Sequence, residues 1–285
     1  MNVVQINNLK YPKLLKQINK PPQRFYYKGV WDSSLFDNCL AVVGSRQMTG
    51  YGRRVTDQLV SKVARAGITI VSGFMYGIDA QAHKAALLAG GRTIAVMPCG
   101  IDLIHPEYQE ELYKQILANG GLIISEFEGD FLPARWTYPR RNRIVAGLSQ
   151  ATLVVEAGQR SGSLITAALT KKYGRKLFAV PGPITSAVSQ GTLQLIREGA
   201  GIVTGANDIL GSYGLYPQEN GRDNIASLGL SRMEQIVLKK LAQEPCEIDE
   251  LSRVIKVSAA ELGTVLSLMH IRGIVSKEEG KYYVS

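Results

Sequence analysis

The chain is poor in the residues that staple or metallate small proteins. Its three cysteines, Cys39, Cys99 and Cys246, are scattered and never form CxxC, which excludes a disulfide framework and speaks against a thiolate zinc site. Its three histidines, His83, His105 and His270, show no metal-ligand spacing. No stretch reaches the ~18 consecutive apolar residues of a membrane span, and the N-terminus has neither the apolar run nor the small-residue cleavage site of a signal peptide. A GxxxxGK[ST] loop is absent, so nucleotide hydrolysis on a Walker motif is not supported. The chain reads as soluble and cytoplasmic, with no membrane partner and no cofactor implied.

What is present is an unevenly placed positive charge. The net charge is +9 over 285 residues, with 45% hydrophobic residues, enough for a real core. Residues 1–31 hold six Lys/Arg and no acid, and residues 131–176 hold nine basic residues against Glu156 alone. Two concentrated blocks suggest a surface that meets a polyanion, although basic runs are also ordinary solvated faces.

From residue 39 to 204, short apolar runs alternate with helical patterns. Strands are expected at Leu40–Val43, Ile68–Val71, Thr93–Met97, Leu122–Ile124, Thr152–Val155, Leu177–Val180 and Gly201–Val203. Their runs of β-branched residues suit strands buried on both faces, and Val55, Leu59 and Val63 mark a helical stripe between two of them. The fold class is therefore α/β: an extended Rossmann-like doubly wound sheet, mostly parallel, with a small C-terminal winged-helix domain. The expected organisation is a short basic arm over 1–31, a Rossmann-like domain over 32–214, a linker over 215–230 and a winged helix over 231–285. In the last, helices are expected at Arg232–Ala242, Ile248–Ile255 and Ser258–Arg272, the third capped by Ser258, ahead of a hairpin around Glu279-Gly280. The third helix offers few donors for base edges, so a protein-contact role stands beside a duplex-DNA role.

Ligands of parallel sheets gather at the C-terminal ends of the strands. There the chain places Gly44-Ser45-Arg46, Ser72-Gly73 leading through Gly77, Ser161-Gly162-Ser163 and Pro181-Gly182-Pro183. Glycine turns and helix N-termini accept phosphate. The first turn is not GxGxxG and the second strand ends in Ser72 where a dinucleotide fold has an acid, so NAD is not expected. Residues 131–143 (FLPARWTYPRRNR) mix aromatic and cationic groups, which is what unpaired nucleic acid requires: cations for phosphates and flat rings for bases.

The segments AVVGSR (Ala41–Arg46), VSGFMYGIDAQAH (Val71–His83), GRTIAVMPCGID (Gly91–Asp102), ISEF (Ile124–Phe127), PRRNRIVAGLS (Pro139–Ser149), VVEAGQRSGSLITA (Val154–Ala167) and AVPGP (Ala179–Pro183) together resemble the DNA-processing protein A family, also called DprA or Smf. The likeness runs in order over roughly residues 11–205. It implies binding of single-stranded DNA, a homodimer, and loading of a RecA-type recombinase during natural transformation and recombination. Two departures stand out: Met75-Tyr76 replaces a frequent Ala-Arg, removing one basic contact, and the family's N-terminal helical domain is absent or reduced to Met1–Lys28.

The expected DNA-binding residues are Gly44, Ser45, Arg46, Ser72, Gly73, Gly77, Phe131, Trp136, Arg140, Arg141, Asn142, Arg143, Ser161, Gly162, Ser163 and Lys171. Arg46, Arg140 and Arg143 are expected to face phosphates, and Phe131 or Trp136 to cover a base. Tyr138 reads as a core aromatic, Asp79 as a helix cap, and Arg143 has the second reading of an ion pair with Glu126 or Glu156. About five cationic contacts would give a salt slope near −3.5, at ~0.7 per contact. The enzymatic alternative is a nucleotide phosphoribohydrolase resembling the lysine-decarboxylase-like family, with Glu126 and Glu156 as its acid–base pair. That family's PGGxGTxxE motif is not matched by EAGQRSGSLITA.

Overall fold

A computed structural model describes residues 2–215, 230–278 and 280–284. The chain divides into two compact units, Met1–Pro217 and Gln218–Ser285. Except for Leu215 and Leu230, the expected linker lies outside the described residues.

In the first unit the elements run β1 (Asn2–Gln5), α1 (Lys13–Lys16), β2 (Arg24–Lys28), β3 (Cys39–Val43), α2 (Gly50–Arg65), β4 (Thr69–Ser72), α3 (Ile78–Leu88), β5 (Thr93–Gly100), α4 (Glu110–Ala118) and β6 (Leu122–Phe127). They continue through α5 (Thr137–Leu148), β7 (Ala151–Val154), α6 (Ser163–Lys172), β8 (Lys176–Ala179), α7 (Gln190–Arg197), β9 (Gly201–Ile202) and α8 (Ala206–Leu210). Nine strands form one sheet in the order β1-β2-β6-β5-β4-β3-β7-β8-β9. From β6 to β9 all neighbours are parallel, whereas β2 pairs antiparallel with β6 and β1 with β2.

Alternation along a strand divides its side chains between two cores. In β3, Cys39, Ala41 and Val43 pack on the side of Ile144, Val145 and Leu148 from α5, while Leu40 and Val42 meet Leu59, Val60 and Val63 from α2. Both faces are covered, which is why β3 reads as an unbroken apolar run. Helix α2 starts where the Thr49 hydroxyl accepts from Gly52 N at 3.1 Å.

The N-terminal segment is not an arm. Residues 2–28 contribute β1 and β2 to the sheet, with α1 between them, and Phe25, Tyr26, Leu15 and Ile18 are buried. Phe25 packs at 5.2 Å from Tyr11 and 5.4 Å from Trp31 between ring centres. The six cations around these residues set the local charge, but the apolar positions between them, above all the aromatic RFYYK strand, decide the structure.

The second unit contains α9 (Arg232–Leu241), β10 (Cys246–Glu247), α10 (Ile248–Ile255), α11 (Ala259–Ile271), β11 (Val275–Glu278) and β12 (Lys281–Val284). Its strands order as β10-β12-β11, so three helices carry a small antiparallel wing. Ser231 and Glu234 close a capping box on α9, and Ser258 caps α11 by accepting from Glu261 N at 3.3 Å. No single described helix is long and apolar enough to cross a membrane.

Candidate nucleic-acid interface

The strand order reverses between β3 and β7: the chain winds from β3 towards β6, then resumes on the other side of β3. This is the switch point where a doubly wound sheet opens a crevice. A cleft of about 820 Å³ lies there, between the turn after β3 and the turn before α6. Gly44, Ser45 and Arg46 form one wall, and Arg160, Ser161, Gly162 and Ser163 the other. Arg135, Tyr138, Arg141 and Asn142 come from α5 and its approach, and Tyr76 and Asp79 from the β4–α3 turn.

Two glycines fit these turns together. Gly77 has φ +81, and a Cβ there would lie 2.3 Å from the Ser45 carbonyl oxygen. A Cβ on Gly44 would lie 2.6 Å from Ile78 Cγ1. The start of α3 can therefore abut the β3 turn, and Ile78 N donates to Ser45 O at 3.1 Å. The two walls are also tied together. The buried Glu156 carboxylate, just beyond β7, accepts from Thr49 N at 3.0 Å and from the Thr49 hydroxyl at 2.5 Å.

The charge in the cleft is four arginines against Asp79. Arg46 is exposed, with its guanidinium 5.6 Å from the Tyr76 ring centre and 5.2 Å from that of Tyr138. Two rings near a guanidinium hold the cation by their quadrupoles while its N–H edge can still meet an anion. Arg135 and Arg160 are also exposed, and none of these three arginines has an ion-pair partner among the described residues.

Arg141 behaves differently. It is 4% exposed and donates to the Gly73 and Val96 carbonyls. Asp79 lies near it, since a Cβ on Gly73 would sit 2.5 Å from Arg141 Nη2 and 2.6 Å from Asp79 Oδ2. Burial pushes the Asp79 carboxyl up to about 6 against the pull of Arg141, and burial lowers Arg141 to about 10. Asp79 sits inside the first turn of α3, whose N-cap is Gly77, so it is a charge in the cleft floor rather than the expected cap. Asn142 Nδ2 approaches Gly162 O at 3.4 Å, and the Ser161 and Ser163 hydroxyls are 2.7 Å apart.

Eight of the expected residues line this cleft: Gly44, Ser45, Arg46, Arg141, Asn142, Ser161, Gly162 and Ser163. The other eight do not. Ser72 is buried and donates to Val42 O at 2.6 Å, while Gly73 and Gly77 serve close packing. Arg140 binds Glu126 through two bonds of 2.8 and 3.0 Å. Arg143 meets the same carboxylate at 2.5 Å and donates to Lys20 O at 2.7 Å, so of its two readings the ion pair with Glu126 is realised. Although burial acts to raise it, hydrogen bonding from Arg140 and the charge of Arg143 hold the Glu126 carboxyl below its ordinary range. Lys171 pairs with Glu198 at 2.9 Å. Phe131 and Trp136 are surface residues in a cluster of their own, with Phe127 stacked on Phe131 at 4.8 Å and Arg140 5.8 Å from the Trp136 ring.

The acid–base pair of the hydrolase alternative does not assemble, because Glu126 is bound by arginines, Glu156 by Thr49, and neither lines the cleft. Residues missed as individual contributors are Arg135, Arg160, Tyr76 and Asp79. Arg160 could have been found from its place within the Gly158–Ser163 turn. In sequence Tyr76 stands only as the loss of a cation. Tyr138 is half-buried as expected of a core ring, yet one side faces Arg46.

Comparison with known proteins agrees with this architecture. Residues 2–214 match the family model described as DNA recombination-mediator protein A, and residues 225–281 match the DprA winged helix domain. The chain is 34% identical over 308 residues to Protein Smf of Synechocystis sp., covering 96% of this chain and 77% of that protein. It is similar to the structure of DNA processing protein A from Streptococcus pneumoniae, with TM-score 0.69 and 38% identity over 74% of this chain and 73% of that one. The Helicobacter pylori DNA processing protein A structure, described for its single-stranded DNA binding mode, gives TM-score 0.66 and 32% identity over 75% of this chain and 96% of that one.

Proposed function

Because the chain belongs to the DNA recombination-mediator protein A family, also called DprA or Smf, we propose that its cleft binds single-stranded DNA in the cytoplasm without sequence preference. The observation that carries this reading is the trio Arg46, Arg135 and Arg160, exposed around one crevice and held in no ion pair among the described residues. An unpaired strand presents phosphates on a flexible backbone, and a recess lined by cations and rings accepts it. Reading a duplex major groove calls for a protruding helix or ribbon instead.

In this reading Arg46 meets one phosphate, pre-oriented by Tyr76 and Tyr138, and Arg135 and Arg160 take its neighbours. The positive end of α6, at Ser161–Ser163, adds to the attraction. Family membership further supports a homodimer and hand-over of the strand to a RecA-type recombinase during natural transformation. The winged helix favours protein contact: α11 exposes Leu268 and Ile271, and Arg272 at its end pairs with Glu234 at 2.7 Å.

The test is a mobility-shift competition between single-stranded and duplex oligonucleotides at two ionic strengths. Single strands should win at both, and a chain lacking residues 220–285 should retain that affinity. Preference for duplex, or collapse of binding on truncation, would move the site elsewhere. Sedimentation of the full chain, alone and with a RecA-type recombinase, tests the two assembly steps.

A further inference from the structure

We propose that Tyr76 is a base-stacking residue: one nucleobase of the bound strand lies flat on its phenol ring while the adjoining phosphate meets Arg46. This rests on the single-strand reading above and adds the group that grips the base.

Of the two rings beside Arg46, only one has a surface to offer. Tyr138 is half-buried, its hydroxyl lies 2.9 Å from His105 Nε2, and its ring stands edge-on to the His105 ring at 6.3 Å. Tyr76 is 42% exposed, lines the cleft, and its hydroxyl has no hydrogen-bond partner among the described residues. Its single close ring contact among them is the Arg46 guanidinium, 5.6 Å from the ring centre.

The turn beneath Tyr76 is rigid. Phe74 takes φ +58, unusual for a non-glycine residue, and its carbonyl accepts from the buried Gln109 Nε2 at 2.9 Å. Met75 is 5% exposed, and Gly77 is pinned against Ser45. A ring on such a support loses little freedom when a base lands on it. The Phe131–Trp136 cluster is a weaker candidate for the base next to Arg46. Its ring surfaces are engaged by one another and by Arg140, and it does not line the cleft.

The experiment uses the full chain and fluorescence anisotropy with two labelled strands of equal length and charge, an oligothymidylate and a fully abasic strand. Tyr76→Ala should weaken the oligothymidylate by about 5- to 150-fold, the range for loss of one stacked base. It should leave the abasic strand and the salt slope unchanged. Tyr76→Phe and Tyr76→Trp should retain tight binding, and melting curves should show every variant folded. Equal weakening of both strands by Tyr76→Ala would mean that the ring acts only by orienting Arg46, and would overturn the proposal. So would an unaltered oligothymidylate affinity. Failure of the underlying reading looks different: the unsubstituted chain would not bind oligothymidylate, or Arg46→Ala would leave its affinity intact.

Discussion

Ionic strength is the sharpest probe of the cleft, because the structure fixes how many cations are available to DNA. Of the arginines in the cleft and on α5, Arg140 and Arg143 are committed to Glu126, and Arg141 is buried against backbone carbonyls. That leaves Arg46, Arg135 and Arg160. Each phosphate contact on a single strand releases about 0.7 of a counterion, so three contacts give a slope of log affinity against log salt near −2. Between about 50 and 200 mM salt the affinity should fall roughly 20-fold. Anisotropy titrations of labelled oligothymidylate across that range would measure it, and alanine at any one of the three arginines should bring the slope down to about −1.4. A slope near −3.5 would mean that Arg140 and Arg143 leave Glu126 for the DNA, contradicting the assignment of those side chains to a structural cluster. A slope near zero would refute electrostatic binding altogether.

Acidity should act on the same site. As the pH falls through about 6, Asp79 takes up a proton and the cleft loses its single carboxylate charge. Single-strand affinity should rise roughly fivefold between about pH 7.5 and 5.5, and Asp79→Asn should remove most of that dependence. Arg143→Ala should lower unfolding free energy by about 1–3 kcal/mol in urea titrations, since it leaves the nearly buried Glu126 with one arginine and Lys20 O without its donor. The affinity of the folded protein should not change. Gly77→Ala should cost about 1–3 kcal/mol from its positive φ, with more from the 2.3 Å approach to Ser45 O. It should also weaken DNA binding by displacing the Arg46 turn; normal stability and affinity would show that the turns tolerate separation.

The parallel strands are legible because burial on both faces leaves its mark along the whole run: LAVV and LVV are apolar throughout, and ITIV is broken only by the β-branched, buried Thr69. Only their ends shifted. Strand β5 runs on to Gly100, past Pro98, with its register broken between Met97 and Gly100. The N-terminal strands are obscured because six cations surround a short aromatic run, Phe25-Tyr26-Tyr27, that lacks the alternation of a half-buried strand. At the cleft, the turns were readable from glycine and serine at strand ends. The commitments of the arginines are legible only in part: sequence offers Arg143 an ion pair with Glu126 or Glu156 as one of two readings, and offers nothing for Arg140 or Arg141, because the partner depends on which carboxylate or carbonyl the fold brings near. Glu126 reaches Arg140 and Arg143 only because β6 and α5 lie together, and nothing in the spacing of 14 or 17 residues announces it.

The sheet ends in strands of four residues at β1 and two at β9, borders too short to template a foreign chain readily. Were residues 2–28 removed, the border on that side would become Leu122–Phe127, six residues of sequence LIISEF with the backbone groups that now pair with β2 left bare. The first two strands thus serve solubility as much as architecture, and a shortened version starting beyond Lys28 would be prone to stack edge against edge.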